Sequence, residues 1–245
     1  MLTQSLLISL GLLTVACVSA PPVKVATKIA TVAELGQRLW NQSCPIETID
    51  GVCGHRAAAT TIATCASRST DVSEAPLVIV TRDAANVQAA MAAWTDVRTE
   101  FERHQAELLD DPTAVAAYQM AQGALEGPAF EAYLAMQFPA NLNFDPADPL
   151  LVDASFAAFT KWVQTKSTSG QNLRARFETI SELGGVENSV ISARKTATFE
   201  NFAAAMMHGE IPISIRTGEF AEEKSQAYCD ALEAQVKPLR AAAQR

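Results

Sequence analysis

The chain has 245 residues, of which 49% are hydrophobic and 19% are charged, and this is the composition of a globular protein rather than a disordered one. Its formal net charge is −8, from 19 Lys and Arg against 27 Asp and Glu. The basic residues are scattered, so the sequence lacks the basic stripe that a nucleic-acid partner requires.

Residues 1–20 have the pattern of a signal peptide. The apolar run Leu6–Ala16 is too short to span a bilayer as a permanent helix, but it fits the apolar core of a leader. Two processing routes remain open. The segment Thr14–Cys17 resembles a bacterial lipobox, which would leave Cys17 as the lipidated first residue, whereas cleavage after Ala20 would give a freely secreted protein. We expect an exported, periplasmic protein anchored by lipid at Cys17.

Four cysteines follow the leader: Cys44, Cys53, Cys65 and Cys229. An even number of cysteines in an exported chain most simply forms two disulfides, and three connectivities are possible. We favour a Cys44–Cys53 bridge that closes a short Pro-containing loop. The remaining bridge, Cys65–Cys229, would tie the N-terminal region to the last helix.

The sequence divides into three parts after inspection in chain order. Residues 1–20 are the leader, and residues 21–75 hold a tether at 21–30, a first helix from Thr31 and a cysteine-bearing loop. Residues 76–245 form a helical domain that opens on one strand candidate at 76–81, a run rich in β-branched residues.

Helical periodicity dominates from Asp83 onward. Apolar residues recur every seven positions and predict one amphipathic helix of about seven turns: Val87, Trp94, Phe101 and Leu108. Asp111 and Pro112 predict the start of the next helix, and three prolines predict a connector at 138–149. A later helix carries an apolar stripe that includes Phe156, Phe159 and Val163. We predict a mainly all-α fold, either a helical bundle or a short TPR-like α-solenoid, with a small cysteine-bearing N-terminal region.

Motifs with possible chemistry are weak. Ser192-Ala-Arg-Lys195 matches the S-x-x-K pattern of penicillin-interacting enzymes, but the companion S-D-N and K-T-G elements are absent. Cys53 and Cys65 near His55 could suggest a metal site, but oxidised cysteines cannot be ligands, and disulfides with a solvated histidine are favoured. We predict no catalytic residues, no cofactor and no metal.

An Asn- and Asp-rich stretch has oxygen-bearing residues at alternating positions, loosely like a calcium loop: Asn141, Asn143, Asp145 and Asp148. It lacks the glycine that makes the sharp turn and the distal glutamate of such a loop. A turn built from Asn, Asp and Pro is the favoured interpretation.

Three segments of the C-terminal third form a recognisable series: a helix with Asn201–Ala203, a turn at Ile211–Pro212, and a final helix with Tyr-Cys-Asp-Ala-Leu at 228–232. This series resembles the helical segment that follows tetratricopeptide repeats in large exported envelope proteins of Gram-negative bacteria. The resemblance implies an α-helical periplasmic module associated with multiprotein envelope assemblies, without known catalytic residues. The chain has no intact repeat of its own.

The leading hypothesis is a non-enzymatic helical module of the periplasm or envelope that binds another protein, with no small-molecule ligand and with membrane contact only through the lipid. The alternatives are an envelope hydrolase with an unrecognised site and a small-molecule or lipid-binding helical bundle. A pocket with clustered His, Asp and Ser would favour the enzyme. An internal apolar cavity would favour the carrier, and an apolar surface patch or groove would favour the binding module.

Overall fold

Helices make up most of the protein in this computed structural model, which describes residues 22–58, 63–68, 75–182 and 188–244. The elements in chain order are α1 Pro22–Gln42, β1 Gly54–Arg56, β2 Leu77–Ile79, α2 Ala84–Arg103, α3 Gln105–Leu108, α4 Pro112–Leu125, α5 Gly127–Leu134, α6 Pro149–Ser181, α7 Asn188–Met207, α8 Ile213–Arg216 and α9 Ala221–Ala243. The predicted all-α fold is confirmed, and the TPR-like arrangement stays a prediction. The leader and Cys17 lie outside the described residues.

The predicted tether at 21–30 is wrong, because α1 begins at Pro22. Pro is tolerated in a first helical turn, where its missing N–H would have no helical partner. Val25 and Ile29 are buried in the same cluster as Trp40. Their spacing extends the apolar stripe of the first helix toward its N-terminus, so this stretch is part of the core.

The first core lies between α1, α2 and α4. Trp40 and Trp94 meet with ring centroids 5.7 Å apart, and Phe101 stacks on Tyr118 at 4.2 Å. Gly36 lets α1 approach α2 closely, since a Cβ at this position would lie 2.5 Å from Nε1 of Trp94. This region is therefore closed by tight helix contacts.

The helix predicted from Asp83 to Leu108 is interrupted at His104, which separates α2 from α3. A strict seven-residue repeat drifts by about 20° per heptad around a straight helix. The change of direction at His104 offsets this drift, and Leu108 is fully buried. At the next boundary, Asp111 caps α4 as predicted, accepting the N–H groups of Thr113 and Ala114.

The second core is formed by α5, α6, α7 and α9. The longest helix, α6, has 33 residues and is about 50 Å long. It runs without a break past Gly170, where a Cβ would lie 3.2 Å from the ring of Tyr133. No described helix is both long enough and apolar enough to cross a membrane.

Both favoured disulfides are present, Cys44–Cys53 and Cys65–Cys229. The first closes the loop that leads into the short antiparallel pair of β1 and β2. The second ties the segment 63–68 to α9, and that segment also makes backbone hydrogen bonds to the chain that follows α7. The two bridges indicate an oxidising, exported environment.

Candidate functional site

The N-terminal part of α6 projects from the second core. We call residues 149–158 the α6 arm, and only Ser155 of these described residues is buried. Asp148 caps the arm by accepting the N–H of Leu151 at 3.2 Å, and Pro149 occupies the first turn. Local sequence therefore begins the helix about two turns before the neighbouring helices give it a partner.

The α6 arm and its surroundings expose a group of large apolar side chains, which we call the apolar patch: Phe144, Leu150, Leu151, Phe156 and Ile213. The rings of Phe144 and Phe156 lie 4.9 Å apart. The backbone N–H of Phe144 donates to the hydroxyl of Ser214 at 2.8 Å, which places the start of α8, and with it Ile213, beside the connector. Three separate chain segments thus meet at this surface.

Exposure distinguishes the apolar patch from the rest of the described surface. Leu150 is 81% exposed, Ile213 57% and Phe156 56%, and these are three of the four most exposed large hydrophobic residues described. The fourth, Phe220, is 61% exposed at the start of α9 and has a left-handed backbone conformation. Single exposed apolar residues are ordinary, whereas a cluster marks a candidate interaction surface.

Acidic groups border the apolar patch. Asp145, Asp148 and Asp153 are all exposed, and none of them forms an ion pair with another described residue. The sequence has no Lys, Arg or His between positions 139 and 160. The patch is therefore an apolar surface within a local excess of negative charge.

A buried lysine fixes α6 to its neighbours just beyond the arm. Lys166 has no exposed surface. Its Nζ donates to the carbonyl oxygens of Tyr133 and Met136, both at 3.1 Å, and to Oδ1 of Asn201 at 2.7 Å. The two carbonyls lie at the C-terminal end of α5, where the helix dipole favours a cation, and Asn201 belongs to α7. One side chain thus joins three helices.

The electrostatics of this lysine are unusual, since every hydrogen-bond acceptor is neutral. Nζ lies 4.5 Å from the centroid of the Tyr133 ring, which adds a cation–π contact. Lys166 forms no ion pair with any described residue, and burial lowers its pKa from 10.5 to about 7. Burial also raises the pKa of Tyr133, whose hydroxyl donates to the carbonyl of Thr198 at 2.5 Å.

A second buried cation, Arg82, lies beside the Cys44–Cys53 loop. Its guanidinium forms a 2.6 Å ion pair with Glu131 of α5 and lies 3.9 Å from the centroid of the Trp40 ring. It also donates to the carbonyl oxygens of Trp40 and Gly51. Glu131 accepts the backbone N–H of Cys53 at 2.9 Å, so this hub holds the loop against α1 and α5.

The S-x-x-K residues do not form a nucleophilic site. Lys195 pairs with Glu178 of α6, and Ser192 is exposed on the surface of α7. His55 is exposed on β1, and its neighbours Cys53 and Cys65 belong to separate disulfides.

The Asn- and Asp-rich stretch uses its side-chain oxygens for local turns. Asn143 accepts the N–H of Asp145 at 3.0 Å, and Asp145 accepts the N–H of Ala147 at 2.9 Å. Together with the cap by Asp148, these bonds follow the turn interpretation. No group of three or more His, Cys, Asp or Glu among the described residues could hold a metal ion.

Concave surface on the described chain is shallow. An open depression of about 520 Å³ lies along α1 and is lined by Glu34, Gln37, Arg38, Asn41, Gln42 and Met120. A second, of about 450 Å³, lies nearer the start of the same helix. Neither contains a cluster of nucleophilic or acid–base groups.

Sequence reasoning missed both buried cations and the apolar patch. Lys166 counted among the scattered basic residues, although it follows Trp162 by four positions on the inward face of α6. Phe156 belonged to a predicted apolar stripe, with no signal that the stripe continues beyond the core.

A scan against protein-family models and searches of curated proteins and of solved structures find no match to this chain. The resemblance to the segment that follows tetratricopeptide repeats therefore stays a prediction.

Proposed function

We propose that this protein is a non-enzymatic helical module that binds another protein through the apolar patch. The observation that carries this proposal is the collection of Leu150, Phe156 and Ile213, each more than half exposed, at one end of the molecule. Burial of an apolar side chain in an interface stabilises it by about 1.5–3 kcal/mol relative to exposure to water.

The structure of the rest of the molecule suits a rigid support for this surface. Lys166 joins α6 to α5 and α7 less than three turns from Phe156. The Trp162 ring packs against Phe138 at 5.1 Å and Phe202 at 5.4 Å, which anchors the base of the α6 arm. A side chain held on a rigid helix loses less entropy on binding than one on a loop.

We further propose that the module works in the periplasm and that lipid at Cys17 anchors it to a membrane. The lipobox-like segment Thr14–Cys17 supports the anchor. An oxidising compartment is required by the two disulfides in any case. Intact-mass measurement of the mature protein tests the anchor, since acylation and cleavage after Ala20 give different masses.

The binding proposal is tested with two matched double variants. Leu150→Ser with Phe156→Ser removes two side chains of the apolar patch. Leu35→Ser with Leu109→Ser removes two exposed apolar side chains from the first region, where they are 42% and 51% exposed. Each tagged protein is purified from its own envelope fraction, and the proteins that co-purify are quantified by mass spectrometry.

We expect one partner to be lost with the patch variant and retained with the control variant, while both variants unfold at nearly the wild-type temperature. The proposal is contradicted if both variants retain the same partners, or if the control variant loses them equally.

A further inference from the structure

We infer that the apolar patch receives an amphipathic helix of another protein whose apolar stripe is flanked by Lys and Arg. This inference rests on the proposed binding function and adds the chemistry of the partner. Apolar contact gives such an interface its affinity, and the charges beside it select the partner.

The apolar side of the argument concerns shape. The α6 arm is a helix of about 15 Å in length, exposed on most of its circumference. Phe156 and Phe144 form a raised aromatic pair on one flank, and Leu150 projects from the first turn. Helix surfaces pack by fitting ridges into grooves, so a second helix suits a surface of this kind.

The charged side of the argument concerns complementarity. Asp145, Asp148 and Asp153 lie within eight residues of one another around Leu150 and Leu151, and no described cation neutralises them by an ion pair. Arg216 of α8 is already paired with Glu210. An acidic partner would be repelled, whereas Lys or Arg flanking an apolar stripe would meet three available carboxylates.

The same carboxylates argue against a lipid surface as the occupant. Membranes that contain anionic lipids attract basic segments and repel acidic ones. An apolar surface bordered by three aspartates would be held away from such a bilayer. A basic helix satisfies both the apolar and the charged requirements.

Three fluorescent peptides test the inference, and anisotropy measures their affinity for the full chain. The first is an amphipathic helix with a Leu stripe flanked by Lys, the second has Glu in place of every Lys, and the third scrambles the first. We expect the Lys peptide to bind at least about tenfold more tightly than the other two, and its affinity to fall with added salt.

Two triple variants of equal net charge separate the local effect from the effect of the overall negative charge. Asp145→Asn, Asp148→Asn and Asp153→Asn remove the charges beside the patch, and the Asn side chains keep the oxygen that accepts the turn and cap hydrogen bonds. The control replaces exposed acids of the first region: Glu47→Gln, Asp96→Asn and Asp110→Asn. We expect about a tenfold loss of affinity for the first variant and less than about a twofold loss for the control.

The outcomes distinguish the inference from the proposed function. If the Glu peptide binds as well as the Lys peptide, and both lose affinity with Phe156→Ser, the basic partner is wrong while the binding surface stands. If Phe156→Ser changes the affinity of no peptide and the patch variant keeps every co-purifying protein, both fail. Patch-dependent binding to vesicles of phosphatidylethanolamine and phosphatidylglycerol, without peptide binding, overturns the inference in favour of a lipid surface.

Discussion

The two buried cations of this protein are held in opposite ways. Arg82 in the first region is paired with a carboxylate of Glu131 at 2.6 Å, whereas Lys166 in the second region meets only neutral oxygens. Both act on α5, through Glu131 in one case and through the carbonyl of Tyr133 in the other. The first hub is a permanent ion pair, and the second is a charge that burial disfavours.

The difference shows how the two ends of the molecule are used. Around Arg82, the Cys44–Cys53 loop and three helices close the structure, and exposed apolar residues occur singly. Around Lys166, α6 is fixed at its middle while its N-terminal arm carries the apolar patch into solvent. We interpret the first region as scaffold and the second as the support of a binding surface.

The largest expected effect compares the disulfides of the two regions. Cys65–Cys229 spans 164 positions and Cys44–Cys53 spans 9. In the loop-entropy model, replacing both cysteines of a bridge by Ser costs about 5 kcal/mol for the long bridge and about 3 kcal/mol for the short one. Urea denaturation of the two double variants measures this ordering, and equal losses would contradict it.

The next effect breaks the ion pair of the first region. Glu131→Gln leaves Arg82 buried without a counter-charge, and we expect a loss of about 3–4 kcal/mol in the free energy of unfolding. The matched control is Glu126→Gln, which breaks the more exposed ion pair with Arg176 on the same helix and should cost less than about 1 kcal/mol. A loss below 1 kcal/mol for both variants in urea denaturation would show that the hub contributes little.

The third effect is a pH dependence from the second region. The pKa of Lys166 is lowered to about 7 in the folded protein and returns to about 10.5 on unfolding. The unfolded state therefore binds more protons between these values, so stability rises with pH, by about 2 kcal/mol from pH 7 to pH 9. Burial raises the pKa of Tyr133, and that of Tyr228 to about 12, so these phenols reverse the trend above about pH 10.

Variants at this site sharpen the comparison with Arg82. Lys166→Met should flatten the rise between pH 7 and pH 9 in urea denaturation, while Lys161→Met, an exposed change on the same helix, should keep it. Asn201→Asp would give Lys166 a carboxylate partner like that of Arg82 and should also flatten the rise. A slope that survives in Lys166→Met would assign the effect to another group.

The smallest expected effect on stability comes from the apolar patch. Leu150→Ser with Phe156→Ser should change the free energy of unfolding by less than about 0.5 kcal/mol, because these side chains are mostly exposed in the folded state. Thermal denaturation checks this. A loss of several kcal/mol would place the two side chains in the core and remove the basis for a binding surface.

Local signals in the sequence predicted several elements correctly. Asp111 and Pro112 mark the start of α4 because a cap and a first-turn proline act within one turn. Cysteine number and spacing suggested both disulfides. The buried position of Lys166 could not be predicted, since it depends on three helices meeting around one side chain.

The apolar patch was hidden for a related reason. Phe156 and Phe159 belong to one predicted stripe, yet Phe159 packs in the second core and Phe156 is 56% exposed. Periodicity identifies an apolar face but not where its partner helices end. The length of the arm beyond the core is a property of the tertiary structure alone.

Site-specific photo-crosslinking in living cells tests the central claim most directly. A photoreactive phenylalanine analogue is placed at Phe156, on the apolar patch, and separately at Leu109, which is exposed in the first region. We predict a discrete crosslinked protein at position 156 and none at position 109. Absence of a crosslink at 156, or the same product at both positions, would contradict a binding role for the apolar patch.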